Sequence, residues 1–189
     1  MKPVELSEIK NIAEYELIRE SWRPVMMAMK DRRRIRVGDH LTFLFENRET
    51  VKYQVHEMMR IERIVKPRDI EHELETYNEL IPAANQLCAS LLIEYETPEL
   101  RAVWLTKLLG LENHVWLDVP GGPRAKAKFD DRQIASDRIS SVQYIRFQLT
   151  AEQTAKFPAG AKIVVDHPHY AAEHAFDATQ LAELAADLA

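Results

Sequence analysis

The stretch "RIRVGDHLTFLFENRETVKYQVHEMMRIER", Arg34 to Arg63, changes period partway along. Ile35 and Val37 alternate with arginines, Gly38-Asp39 interrupts, and Leu41, Phe43 and Phe45 alternate again. That pattern predicts a β-hairpin, with glycine in the first of two turn positions. From Thr50 to Val65 the apolar residues recur at helical spacing instead. A hairpin that hands over directly to an amphipathic helix sets the fold class as α+β.

On a wheel of about 100° per residue, Val51, Val55 and Met58 share one side of that helix, with Ile61 and Val65 at its edge. Glu62 falls near the middle of the stripe and Gln54 at its margin, whereas Glu57, Arg60 and Arg63 fall elsewhere. A carboxylate on a core-facing stripe is costly unless it is paired or hydrogen-bonded. Glu62 is therefore expected either to pair with an arginine such as Arg48 or to enter a pocket as a metal ligand or base. Glu46, Asn47 and Arg48 sit where strand becomes helix, a junction suited to site residues on a rigid frame.

Outward from this stretch, Asn11 with Glu14 predicts a helix start, followed by Tyr15, Ile18 and Trp22 on one face. Pro24 is expected to kink or restart that helix. The cluster "KDRRRIR", Lys30 to Arg36, reads as a cationic helix end or as a docking patch for phosphate or an acidic partner. A second helix is predicted from Pro67 through Ile70, Leu74, Tyr77 and Ile81. "QLCASLLIEY" reads as a strand and "TPELRAVWLTKLLG" as a helix. The rest reads as antiparallel strands, "HVWLDV", "RAKAKF", "SVQYIRFQL" and "AKIVVDH", with helices capped by Thr150–Gln153 and Asp177–Gln180. The expected architecture is a single α+β domain over residues 1–189: N-terminal helices, a hairpin, two following helices, and a mainly antiparallel sheet drawn largely from the second half.

Composition narrows the function. Hydrophobic residues make up 46% and charged residues 29% of the 189 residues, the balance of a globular protein. Five glycines argue against a glycine-rich nucleotide cradle, and a net charge of -5 disfavours nucleic acid as a partner. No stretch approaches the ~20 apolar residues of a membrane span, and no signal-peptide run opens the chain, so a cytoplasmic protein without a membrane partner is expected. The single cysteine, Cys88, excludes an internal disulfide and a four-thiolate cluster held by this chain alone. His56-Glu57 begins a zinc-protease pattern that Arg60 breaks, and no serine lies in a nucleophile elbow.

In "VVDHPHYAAEH", Pro168 biases His167 toward extended geometry, so His167 and His169 would point the same way and could chelate one ion. Asp166 could orient a histidine from behind. A single metal ion would need a third ligand, for which Glu57 and Glu62 are the candidates.

The runs "LFENRETVKYQVHEMMRIERI", "ELETYNELIP" and "VDHPHY" resemble, in order and over nearly the whole chain, the bacterial domain-of-unknown-function family 3501. The family's pattern falls on Glu46, Asn47, Arg48, Gln54, Glu57, Arg60 and Glu62, then on Tyr77, Asn78, Pro82, Asp166, His167, Pro168 and Tyr170. His56 and His169 lie at positions the pattern leaves open, which favours His167 as the histidine of interest. Genes of the family are often found beside those for rubrerythrin and a heterodisulfide-reductase-like iron–sulfur protein. The resemblance thus implies an accessory protein of a redox-stress system, docking an iron–sulfur or rubrerythrin-like partner. The alternative is an enzyme that binds a metal or small anion through Glu57, Glu62 and His167, with Arg48 and Arg60 holding the substrate.

Overall fold

The structure is a computed structural model that describes residues 1–188. Its elements alternate between helix and strand in an α+β arrangement with two antiparallel sheets. Helix α1 (Ile12–Arg32) leads into strands β1 (Arg34–Val37) and β2 (Leu41–Glu46), then helices α2 (Arg48–Glu62) and α3 (Pro67–Asn78). Strand β3 (Gln86–Ile93), helix α4 (Pro98–Lys107) and strands β4 (Val115–Asp118), β5 (Ala125–Lys126), β6 (Lys128–Phe129) and β7 (Val142–Gln148) follow. Helix α5 (Ala151–Lys156), strands β8 (Lys162–His167) and β9 (Tyr170–Ala175), and helix α6 (Ala178–Leu188) complete the order.

The first sheet runs β1-β2-β3-β7-β6 and the second β5-β4-β8-β9, with every pairing antiparallel. Six of the nine strands follow residue 94, so the strands come mainly from the second half as expected, but they form two sheets and not one, and the first sheet takes β1, β2 and β3 from the first half. The strand expected over "RAKAKF" is split between sheets. Lys126 pairs with Trp116 of the second sheet and Lys128 with Arg146 of the first, while Ala127 N–H donates to Val115 O at 2.9 Å between them.

Alternation in β2 explains the layering. Leu41, Phe43 and Phe45 face the main core with Leu87, Ala89 and Leu91 of β3, and Val115, Leu117, Ile163 and Val165 enter that core from the second sheet. Thr42, Leu44 and Glu46 point to the opposite face, where they are buried as well. There a smaller core of Val51, Val55 and Met59 from α2, Ile70 and Leu74 from α3, Leu80 and Val4 packs against Tyr144. Strand β2 is therefore buried on both faces, which is why all six of its residues are hidden from solvent.

Two local expectations are corrected. Val37 pairs with Leu41, so the hairpin turns through three residues, Gly38, Asp39 and His40, and not two. Helix α1 runs through Pro24 without restarting. The ring lies on the exposed face, and Tyr15, Met26 and Lys30 keep one continuous buried side across it. The caps of α1, α2 and α5 form as reciprocal boxes, Asn11 with Glu14, Asn47 with Thr50 and Thr150 with Gln153. No described helix is long and apolar enough to cross a membrane.

Candidate functional site

Strand β2 delivers Glu46 to the helix-covered face of the first sheet, and the sheet's pleat sets Ser90 of β3 beside it, since Leu44 pairs with Ser90 and Glu46 with Cys88. Ser90 Oγ donates to Glu46 Oε1 at 2.8 Å. The other carboxylate oxygen, Oε2, has no hydrogen-bond partner among the described residues. Glu46 borders a cavity of about 330 Å³ between the sheet and helices α1, α2 and α3. The polar lining is Lys30, Glu46, Gln54, Tyr77, Ser90 and Tyr144, and the walls are Leu44, Val51, Leu80, Leu92 and Val142.

Lys30 comes from the last turn of α1 and is only 8% exposed. Its Nζ lies 5.2 Å from the centroid of the Tyr53 ring, a cation–π placement. Among the described residues no carboxylate stands within ion-pairing distance of it. Burial lowers its pKa, Glu46 opposes that and Arg34 adds to it. The phenols of Tyr77 and Tyr144 are both raised by burial, with Gln54 beside the Tyr77 hydroxyl acting against the rise, so each remains a proton donor at neutral pH. The arrangement offers one amine, one carboxylate, two phenols, an amide and a hydroxyl in a mostly apolar enclosure, the composition of a small-molecule site.

Of the expected site residues, Glu46 and Gln54 reach this cavity, joined by Tyr77 of the family pattern. The others are dispersed. Asn47 caps α2, its Oδ1 accepting from Thr50 N–H at 3.0 Å. Arg48 pairs with Glu8 and donates to Lys2 O at 3.2 Å, and Asn78 bonds both N–H and C=O of Val4, so both residues tie down the N-terminal segment. Arg60 pairs with Glu16 at 2.6 Å. Glu57 receives Arg19 through both oxygens, at 2.8 and 3.1 Å, and the Tyr15 hydroxyl at 2.5 Å. Burial pulls the Glu57 carboxyl up, but Arg19 and Tyr15 outweigh it and hold the pKa below the usual range.

Glu62 is exposed and is not part of an apolar stripe. It is the final residue of α2, and Arg63 ends the helix in left-handed geometry. The buried side is also rotated: Met59 is enclosed and Met58 only half-buried, because Tyr53 and His56 face α1 while Val51 and Val55 face α3 and the sheet.

Asp166 accepts from Trp116 Nε1 at 3.1 Å and lies 3.0 Å from His114 Nδ1. Tyr170 donates to Val37 O at 2.7 Å and accepts from His40 N–H at 3.0 Å, clamping the hairpin. The chain reverses at Pro168-His169, so His167 and His169 are not on one extended run. Both ring nitrogens of His167 are occupied, Nε2 with Leu109 O at 3.1 Å and Nδ1 with His169 N–H at 3.2 Å. Glu57 and Glu62 of α2 and His167 of β8 do not form a ligand set, and among the described residues no three His, Cys, Asp or Glu side chains are grouped to hold a metal.

The basic cluster divides: Lys30 and Arg33 are buried, while Arg32, Arg34 and Arg36 are exposed. Arg33, 1% exposed, donates to Phe45 O at 2.8 Å and Glu46 O at 3.3 Å, and pairs with Asp187 and Glu183 of α6. Arg32 also meets Glu183, at 2.9 Å. Of the cluster expected as an outward patch over Lys30 to Arg36, Arg32, Arg34 and Arg36 are on the surface, with Arg32 held by Glu183.

Lys30, Ser90 and Tyr144 were hidden within other patterns. Lys30 stands four residues beyond Met26, on the buried side of α1, and Ser90 is the polar residue in the interior of a strand that is apolar beyond Gln86. Those positions are the signals that mark them.

A comparison with curated proteins finds no match. Among solved structures, the chain is similar to the crystal structure of a novel protein of unknown function from Burkholderia pseudomallei K96243. The two are 33% identical, with 100% of each chain covered and a TM-score of 0.92. The family model described as "Protein of unknown function (DUF3501)" matches residues 3–188, and the chain belongs to that family.

Proposed function

We propose that this protein binds a compact, largely apolar small molecule in the cavity between the first sheet and helices α1–α3, with Lys30 and Glu46 as its polar contacts. One observation carries the reading: the Lys30 amine is buried at the cavity wall with no carboxylate paired to it among the described residues. An unpaired buried charge destabilises a fold, so a scaffold role gives no reason to keep it there. A ligand group that accepts from Lys30 and donates to the free oxygen of Glu46 would satisfy both. The cavity volume, about 330 Å³, lies at the small end of the range for ligand sites.

The test is a thermal-shift screen of small aromatic and aliphatic acids, alcohols and aldehydes against the wild-type protein and Lys30→Met. Stabilisation of the wild type that the variant loses is the expected result. A protein that acts only by docking a redox partner on its outer surface would be stabilised by none of these compounds, and that outcome would overturn the pocket reading.

A further inference from the structure

We propose that Lys30 is an imine-forming amine that captures an aldehyde in this cavity, an inference that rests on the ligand-binding reading above. Three features of the cavity favour covalent capture over simple charge anchoring. The first is the amine itself, nearly enclosed, at an apolar wall and unpaired with any carboxylate among the described residues. A desolvated lysine of this kind is the usual source of a free-base nucleophile.

The second is the set of groups around it. Arg34 of β1 disfavours the ammonium, while Glu46 of β2, Glu57 of α2 and the Tyr53 ring favour it, and burial is the largest influence and acts against the charge. The balance lowers the proton affinity of Lys30. Burial, aided by Arg34, thus eases the way to the neutral amine, while Glu46, Glu57 and the Tyr53 ring act the other way.

The third is a supply of proton carriers in the same cavity. Glu46 Oε2 is unpartnered among the described residues, and the Tyr77 and Tyr144 phenols are kept protonated by burial. In the step, the lone pair of neutral Lys30 Nζ attacks the aldehyde carbon, a C–N bond forms, and the C=O pair moves onto oxygen. Glu46, beyond ion-pairing distance, takes a proton from Nζ through a water in the cavity while a phenol protonates the oxygen, giving a neutral carbinolamine, a carboxylic acid and a phenolate. The carboxylic acid then protonates the hydroxyl, water leaves as Nζ forms the C=N bond, and the last Nζ hydrogen passes to the phenolate, which restores both carriers. Aldehyde and amine give imine and water, and no electrons are gained or lost.

The experiment treats the full-length wild-type protein with benzaldehyde and sodium cyanoborohydride. The reductively alkylated lysines are then mapped by mass spectrometry over time. Benzyl alcohol, which has the same ring but no carbonyl, is measured alongside for thermal stabilisation. Lys30 is expected to label faster than the exposed Lys2, Lys10 and Lys66 by roughly tenfold or more. Labelling of Lys30 no faster than those lysines, with benzyl alcohol still stabilising the fold, would overturn the imine and leave the pocket reading standing. Slow labelling with no stabilisation by either compound would overturn both.

Discussion

Ser90 donates its hydroxyl to Glu46 Oε1 at 2.8 Å across the β2–β3 pair, and both residues line the cavity between the sheet and helices α1–α3. Both residues are buried, so losing the donor leaves a carboxylate oxygen without compensation. Ser90→Ala is expected to lower unfolding stability by about 1–2 kcal/mol in urea denaturation. Glu46→Gln keeps an acceptor in the same place and should cost less than Ser90→Ala. A larger loss in Glu46→Gln would mean that the charge, and not the bond to Ser90, holds the strands here.

Arg33 links the hairpin to the last helix, because one guanidinium serves Phe45 O, Glu46 O, Glu183 and Asp187. Burial raises the Asp187 pKa even with Arg33 opposing the rise. Arg33→Met strands Asp187 as a buried, unpaired acid, and should cost about 3–5 kcal/mol. Asp187→Leu added to Arg33→Met should restore most of that loss, since no charge is then left behind. Equal denaturation midpoints for the single and double variants would show that the backbone bonds to Phe45 and Glu46 matter more than the ion pair.

What the sequence reveals here is mostly what is local. The hairpin, the helix caps and the entry into α2 all depend on residues within one or two turns of each other, and all form. The cavity depends on contacts between distant segments. Lys30 reads as one more cation in "KDRRRIR", and only the packing of α1 on α2 and the sheet turns it inward. The helical wheel misplaces Glu62 for a related reason. A wheel treats every turn as equally covered, whereas α2 outruns its neighbours by its last turn and ends there. Likewise, a strand period applied across Pro168 cannot anticipate the reversal that separates His167 from His169.

Glu57 and Glu62 separate sharply on this basis. Glu57 is held by Arg19 and Tyr15 on the α1–α2 seam, and Glu62 is exposed at a helix end. Glu57→Gln should lower stability by about 1–2 kcal/mol, since a neutral amide meets Arg19 less well than a bidentate carboxylate does. Glu62→Gln should stay within about 0.5 kcal/mol of the wild type, as surface substitutions usually do. Chemical denaturation of the two variants side by side checks both.

His56 makes stability depend on pH. It is 2% exposed, its Nδ1 lies 2.7 Å from Lys52 O and its Nε2 accepts from Lys10 N–H at 3.1 Å. Burial lowers its pKa, so the folded chain resists a proton that the unfolded chain takes up near the ordinary value of about 6.5. The contribution of neutral His56 is complete above that value and is lost as pH falls from it toward the depressed folded value. The melting temperature should therefore drop between about pH 6.5 and pH 5.5, before most carboxylates titrate. His56→Gln should flatten that part of the curve, and an unchanged slope in the variant would assign the drop to another group.

Gly38 and Tyr170 act as a unit at the hairpin tip. Gly38 has φ +66°, and a Cβ placed on it would stand 2.4 Å from the Tyr170 hydroxyl oxygen. That oxygen is not free to move, because it is bonded to Val37 O and His40 N–H. Gly38→Ala combines positive-φ strain with a steric clash and should cost about 2–4 kcal/mol. Tyr170→Phe removes both bonds and the clashing atom, and alone should cost about 1–2 kcal/mol. In the double variant the worst contact is gone, although the ring carbon at 3.1 Å and the backbone strain remain. Its loss should fall short of the sum of the two single losses by about 1 kcal/mol or more. Simple additivity in a double-mutant cycle would mean that the hairpin shifts away from Tyr170 in the alanine variant, so that the clamp joining the two sheets is already open before the hydroxyl is removed.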